Sequence, residues 1–307
     1  MTAVQSGRAG AGSRDREVPR WRAYLALTKP RVIELLLVTT VPVMFLAAGG
    51  FPPLSTTLLT LLGGTMAAAG ANVINQVYDR DIDAVMVRTQ RRPLVMGHIS
   101  TRSALRFGIG LSVLSVVLLG TTVNWLSAAL AAAAIGFYVV IYTMLLKRRT
   151  AQNIVWGGAA GCFPVLIGWS AVTGSLAWTP LVLFGIVFFW TPPHYWPLAL
   201  RFRADYQAAR VPMLPAVADG PAVAGAIVRY SWAMVATSLL LTPVAGMGWL
   251  YTGTAIVLGA AFLYEAYALR SRVRRGAVEP GAMRLFHGSI SYLSLLFLAI
   301  AIDPFLG

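Results

Sequence analysis

Apolar residues in this chain fall into long runs separated by short polar gaps. The runs cover Val32–Gly50, Leu54–Val77, Ala104–Thr122, Trp125–Leu146, Asn153–Val172, Trp178–Leu200, Ala224–Ala245, Gly248–Leu269 and Leu285–Ile302. Each is roughly 18–24 residues long, enough for a helix to cross about 30 Å of hydrocarbon. The pattern predicts an all-α, polytopic membrane protein with nine transmembrane helices around a cavity. The chain is polar from Met1 to Arg20. Residues 1–26 are therefore expected to form a disordered cytosolic tail, and residues 27–307 a single intramembrane domain. No signal-peptide apolar region precedes the first run, so no cleavage is expected.

Composition agrees with that pattern. Of 307 residues, 57% are hydrophobic and 12% charged, against about 45–50% and 25% in soluble domains. Mean hydropathy is +0.69. Such apolarity excludes intrinsic disorder for the whole chain. A lone cysteine, Cys162, excludes an internal disulfide framework, a CxxC redox pair and a thiolate zinc site.

The net charge of +14 invites a nucleic-acid reading, but the positions of the charges oppose it. Seven Lys and Arg precede the first run, five lie between the second and third with Arg106 just inside the third, and three follow the fourth. Three lie between the sixth and seventh runs with Arg229 just inside the seventh, and five lie between the eighth and ninth. The alternate gaps, near Phe51–Pro53, Val123–Asn124, Thr173–Ala177 and Gly246–Met247, hold none. Basic residues mark cytoplasmic loops. The alternation predicts a cytosolic N-terminus, an external C-terminus and a cavity facing the cytosol. It accounts for the basic charge without nucleic acid.

Two inside connections are long and polar, Tyr78–Ser103 and Arg201–Pro221. Polar loops on a rigid scaffold concentrate function. The first begins with Asn75-x-x-x-Asp79-x-x-x-Asp83, a spacing that keeps the three side chains on one helical face. Asp79, Asp81 and Asp83 repel one another unless a cation compensates them. Hard carboxylate oxygens suit Mg2+, which is usually held by one or two carboxylates together with substrate phosphates. Arg88, Arg91 and Arg92 follow at once and offer guanidinium forks to phosphate oxygens. A solvated loop of mutually paired Asp and Arg is the plainer alternative. The polar ladder continues up to Asn72 inside the helix, however, where polar groups are costly and usually functional. These residues predict Mg2+–diphosphate binding at the cytosolic membrane face. No P-loop, nucleophile elbow, HExxH or dinucleotide fingerprint occurs.

The ladder resembles the first aspartate-rich motif of the intramembrane prenyltransferases. The longer run from Asn75 through Asp79-Arg-Asp-Ile-Asp-Ala-Val-Met to Arg91-Arg-Pro-Leu94 is similar to one branch, the protohaem IX farnesyltransferases that make haem O. Thr28-Lys-Pro-Arg31, Lys147-Arg148, Pro193-His-Tyr-Trp196, Asp205-Tyr206, Val211-Pro-Met-Leu-Pro215 and Phe286-His287 extend the likeness from about Leu27 to Pro304. The resemblance implies transfer of a farnesyl group from farnesyl diphosphate to the vinyl group of haem B. It implies Asp79 and Asp83 as Mg2+ ligands oriented by Asn75. It also implies Arg88, Arg91, Arg92, Lys147 and Arg148 as a diphosphate clamp, with Asp205 completing the metal site or activating water. An energy-transducing membrane such as the bacterial plasma membrane is the implied location, and a haem A-forming enzyme the implied next partner.

In the sixth run, Pro192, Pro193 and Pro197 are expected to kink or break the helix. The aromatics around His194 fit either an interfacial belt or a pocket for a flat ligand. With the resemblance, His194, Trp196, Tyr142 and His287 become candidate haem contacts. Relatives with phenolic acceptors carry a second aspartate-rich motif here, whereas this chain has Asp205 alone. Two alternatives stay open: a prenyltransferase with another acceptor, and a proton-coupled carrier. The carrier predicts carboxylates near the bilayer midplane, not at its edge beside arginines. Gly157-x-x-x-Gly161 reads as a helix-packing seam.

Overall fold

In the computed structural model, residues 19–277 and 281–306 are described. Helix α1 is Arg20–Thr28, α2 Pro30–Ala48, α3 Leu54–Tyr78, α4 Arg80–Val85 and α5 Thr101–Thr122. Helix α6, Trp125–Gly136, continues as a π-helix over Phe137–Leu146. Helix α7, Asn153–Gly157, passes through a 3-10 segment, Gly158–Cys162, into α8, Phe163–Thr173. Then come α9 Trp178–Arg201, α10 Arg203–Ala208, α11 Leu214–Val217, α12 Gly220–Ala245, α13 Trp249–Arg274 and α14 Ala282–Ile302. No strand occurs among the described residues.

Helices occupy all nine predicted places. Seven segments are long and apolar enough to cross a membrane, namely α3, α5, α6 with its π extension, α7–α8, α12, α13 and α14 with its 3-10 end. Helix α2 has a shorter apolar part, Leu36–Ala48, and α9 carries three internal prolines. Successive helices pack side by side, and α14 returns against α2, closing a ring. Glycine makes the tightest approach possible: a Cβ on Gly70 of α3 would lie 2.7 Å from the Gly108 carbonyl oxygen of α5. The tight turns end in left-handed glycines, Gly49, Gly174 and Gly246. Asp303 caps α13 by accepting from the Gly248 and Tyr251 amides at 2.5 and 2.9 Å.

Three expectations need correction. The predicted tail of residues 1–26 is helical from Arg20, with Ala23 and Leu27 buried; residues 1–18 lie outside the described residues. Helix α9 runs unbroken through Pro192, Pro193 and Pro197. It is buried against α12 and α14, and packing of this kind lets membrane helices tolerate proline. The interruption lies instead at Gly158–Cys162, in a segment predicted to be continuous. That glycine-rich stretch has weak helix propensity, and Pro164 starts the next helix. Gly157 packs on the Tyr142 ring and Gly158 on Thr191, while a Cβ on Gly161 would meet open space. The stretch is therefore partly a seam and partly a cavity wall.

Candidate functional site

The end of α3 and the start of α4 carry the ladder. Asn75, Asp79 and Asp83 are buried and face inward, while Asp81 points outward with its side chain 64% exposed. The four-residue spacing thus sorts the three aspartates as helical geometry requires. Each buried carboxylate meets a cation. Asp79 pairs with Lys147, and Asp83 with the Arg92 guanidinium at 2.5 Å. Arg148 binds Asp81 through both terminal nitrogens, at 2.6 and 2.7 Å, and approaches Asp79 Oδ1 at 3.7 Å. Hydrogen bonding to Arg148 holds the Asp81 carboxyl below the usual carboxylate range. Asp79 Oδ1 itself is buried and accepts no hydrogen bond.

Lys29, absent from the sequence-predicted site, joins this cluster. It sits between α1 and α2 and donates to Asn75 Oδ1 at 2.9 Å. Its burial, with Arg92 and Lys147 nearby, lowers its pKa to about 7 against the opposing pull of Asp83 and Asp79. The junction is stitched to α3 by two more buried amides. Asn72 donates to the Thr28 carbonyl at 3.1 Å and Gln76 to that of Leu27 at 2.6 Å. The sequence signals for Lys29 were its place directly before Pro30 and its membership of the Thr28-Lys-Pro-Arg31 stretch. Thr143 was also missed: it is buried on the π-helix and accepts from Asn75 Nδ2 at 3.0 Å.

Below the ladder lies a cavity of about 1420 Å3, counting its open mouth. Gly64, Ala67, Ala68 and Ala71 of α3 form one wall, and Tyr138, Tyr142 and Tyr195 stand on the opposite sides. Asn72 marks the polar end, one turn before Asn75.

The remaining predicted residues divide. Tyr142 lines the cavity; His194, Trp196 and His287 do not. His194 is stacked on Trp190 at 4.2 Å and on Phe286 at 4.6 Å, and its Nδ1 bonds Ser289 Oγ at 2.7 Å. Those contacts are those of a packed core histidine. Trp196 is buried edge-on against Tyr230, and His287 is exposed. Arg88 and Arg91 are exposed on the loop. Asp205 is half-buried and accepts from the Arg88 amide at 3.3 Å. Among the described residues no three His, Cys, Asp or Glu side chains gather into one metal-binding group, so Asp205 does not join Asp79 and Asp83 in a three-carboxylate cluster.

The site is thus a pair of buried aspartates among basic residues at one end of an apolar cavity, within a ring of helices. The chain belongs to the UbiA prenyltransferase family, whose model matches residues 36–301. It is 56% identical to the protoheme IX farnesyltransferase of Streptomyces coelicolor, over 100% of both chains. A protein of the same name from a Nocardioides species is 60% identical, covering 92% of this chain and 91% of its own. Among solved structures, one from work on a digeranylgeranylglyceryl phosphate synthase in membranes superposes with a TM-score of 0.76 at 18% identity, covering 94% of this chain and 99% of that one. A UbiA homolog from Archaeoglobus fulgidus bound to GPP and Mg2+ gives 0.62 at 16% identity, over 91% and 99%. The protein is an integral, multi-pass prenyltransferase.

Proposed function

We propose that this chain transfers the farnesyl group of farnesyl diphosphate to the vinyl group of haem B, giving haem O. One observation carries the diphosphate half: Asp79 and Asp83 lie among three cations, Lys29, Arg92 and Lys147, on the end of α3 that follows the cavity-lining Ala71 and Asn72. Two buried carboxylates alone would call for one divalent ion. The surplus of basic groups calls for a polyanion as well. The apolar lining of the cavity suits an isoprenoid chain, and the relatives named protoheme IX farnesyltransferase point to haem as the acceptor.

The donor set suits Mg2+, because Asp79 Oδ1 is a buried hard oxygen with no hydrogen-bond donor. Asp79 and Asp83 would hold the ion, which neutralises the diphosphate when bound. The chain's own groups do the rest. Lys147, Arg92, Lys29 and Arg148 offset the charge that builds on the leaving oxygen as the carbon–oxygen bond breaks, with Arg88 and Arg91 at the loop surface guiding entry. The walls around Tyr138, Tyr142 and Tyr195 keep water from the allylic cation, and aromatic faces attract such charge. The haem vinyl group then attacks, and water capture completes the hydroxyethylfarnesyl product. Asp205 faces the entry from the second loop and serves as the base for that water. The N-terminus is cytosolic, nine helices span the plasma membrane, and the product passes to a haem A-forming enzyme. Incubating the membrane protein with haem B, farnesyl diphosphate and Mg2+ tests this; haem O by mass is expected, and unchanged haem B would refute it.

A further inference from the structure

Asn75 is held at three points. Its Oδ1 accepts from Lys29 at 2.9 Å, while its Nδ2 donates to Thr143 Oγ1 at 3.0 Å and to Asp79 Oδ2 at 2.7 Å. The partners fix which end of the amide is which. An ammonium only donates, so it needs the amide oxygen. The Thr143 hydroxyl gives its own proton to the Tyr138 carbonyl at 2.8 Å. It therefore meets Asn75 as an acceptor and needs the amide nitrogen. The step from Tyr138 to Thr143 is five residues, the turn of the π-helix that carries them. Lys29 reaches its position in a left-handed conformation, φ 54 and ψ 63, directly before Pro30. Such a conformation persists at a non-glycine residue only where its surroundings enforce it; here the Asn72 and Gln76 bonds to the preceding carbonyls do so.

This lock makes the two oxygens of Asp79 unequal. Oδ2 accepts from both Asn75 and Lys147, whereas Oδ1 accepts from neither. A flipped amide would press its oxygen against the carboxylate and leave Oδ2 short of a donor. We infer that Lys29 and Thr143 are positioning residues: by fixing the Asn75 amide they saturate Asp79 Oδ2 and reserve Oδ1 for a divalent cation. The inference rests on the diphosphate reading of the site. It also assigns the π-helix a purpose, since the hydroxyl of Thr143 is usable as an acceptor because its proton has a partner five residues back.

The test uses the solubilised full-length protein, Mn2+ as a spin probe and inorganic diphosphate, with free Mn2+ read by electron paramagnetic resonance. Thr143→Val removes the acceptor and should weaken Mn2+ binding about tenfold, the usual size for losing a group that orients a metal ligand. Thr143→Ser keeps the hydroxyl and should stay within about twofold of the parent, as a retained hydrogen bond predicts. Lys29→Met should weaken binding in the same direction. Thermal midpoints are followed in parallel, and Thr143→Ala, which adds no bulk, carries the same expectation if the valine variant misfolds. A folded Thr143→Val or Thr143→Ala protein with parental Mn2+ affinity overturns the inference, as does a serine variant as weak as valine. If the parent itself takes up no Mn2+ with diphosphate, the diphosphate reading of the site fails instead.

Discussion

Asp205 accepts a hydrogen bond from the Arg88 amide at 3.3 Å, across 117 residues of sequence. This contact joins the segment after α4 to helix α10. The Arg88 guanidinium also lies 5.7 Å from the centre of the Phe202 ring. The two long polar connections therefore meet each other.

Asp205→Asn keeps an oxygen for the Arg88 amide and removes the charge. If the charge serves the reaction, turnover should fall by more than about tenfold, within the range of a lost general base, with thermal stability unchanged. Turnover at the parental rate would reduce Asp205 to a clasp.

Asp79→Asn and Asp83→Asn should each weaken diphosphate binding by about tenfold or more, since a charge-assisted bond is worth about 1.5–3 kcal/mol. Asp81→Asn should change little, because exposed pairs like Asp81–Arg148 contribute about 0–1 kcal/mol. A calorimetric titration with a non-reactive diphosphate analogue compares the three. Equal losses would contradict the inward and outward sorting.

His194→Ala should act through stability. It removes a ring stacked between Trp190 and Phe286 and the bond to Ser289, whose hydroxyl keeps the Phe286 carbonyl as its acceptor. The expected loss is about 2–4 kcal/mol, with haem B and farnesyl diphosphate affected together. Selective loss of haem B binding, with an altered haem spectrum, would make His194 a ligand after all.

Diphosphate affinity should depend on pH through Lys29, whose pKa is lowered to about 7. Arg92, Lys147, Asp79 and Asp83 are the charged groups that face it. A bound diphosphate favours the charged ammonium, so affinity should be full below pH 7 and fall as pH rises above it. The stability sign is opposite: between about 7 and the unfolded value of 10.5, the unfolded chain binds the extra proton, so stability rises with pH. Lys29→Arg stays charged and should flatten the affinity profile. An equally sloped profile in that variant would assign the titration elsewhere.

Much of this was legible in the sequence. Apolar runs set helix ends to within a few residues, because membrane helices must be long and continuously apolar. The four-residue ladder placed Asn75, Asp79 and Asp83 together, because one helix fixes their faces. Contacts between distant segments were not legible. Lys29 reaches Asn75 from 46 residues away, and nothing local in Thr28-Lys-Pro announces a buried ammonium. The site of the helix interruption was misjudged for a related reason. Prolines in α9 were read by their local effect, whereas burial against α12 and α14 overrides it, and the glycines before Pro164 carried the break. His194 looked like a ligand among aromatics, but the same aromatics enclose it.

The wall of α3 is graduated. Gly64, Ala67–Ala68 and Ala71 succeed one another by about a helical turn, leading to the polar Asn72 end of the cavity. Gly64 lies eleven residues before Asn75, about 16 Å along the axis at 1.5 Å per residue. A side chain added there meets open space and so would stand in the cavity. On the proposed function, helix α3 would act as a ruler for the isoprenoid, with the diphosphate at its zero mark. Gly64→Leu should shift preference from farnesyl to the shorter geranyl diphosphate, measured in competition between the two; Ala71→Leu, nearer the zero mark, should exclude both. Unchanged preference in Gly64→Leu would show that chain length is gauged by another wall.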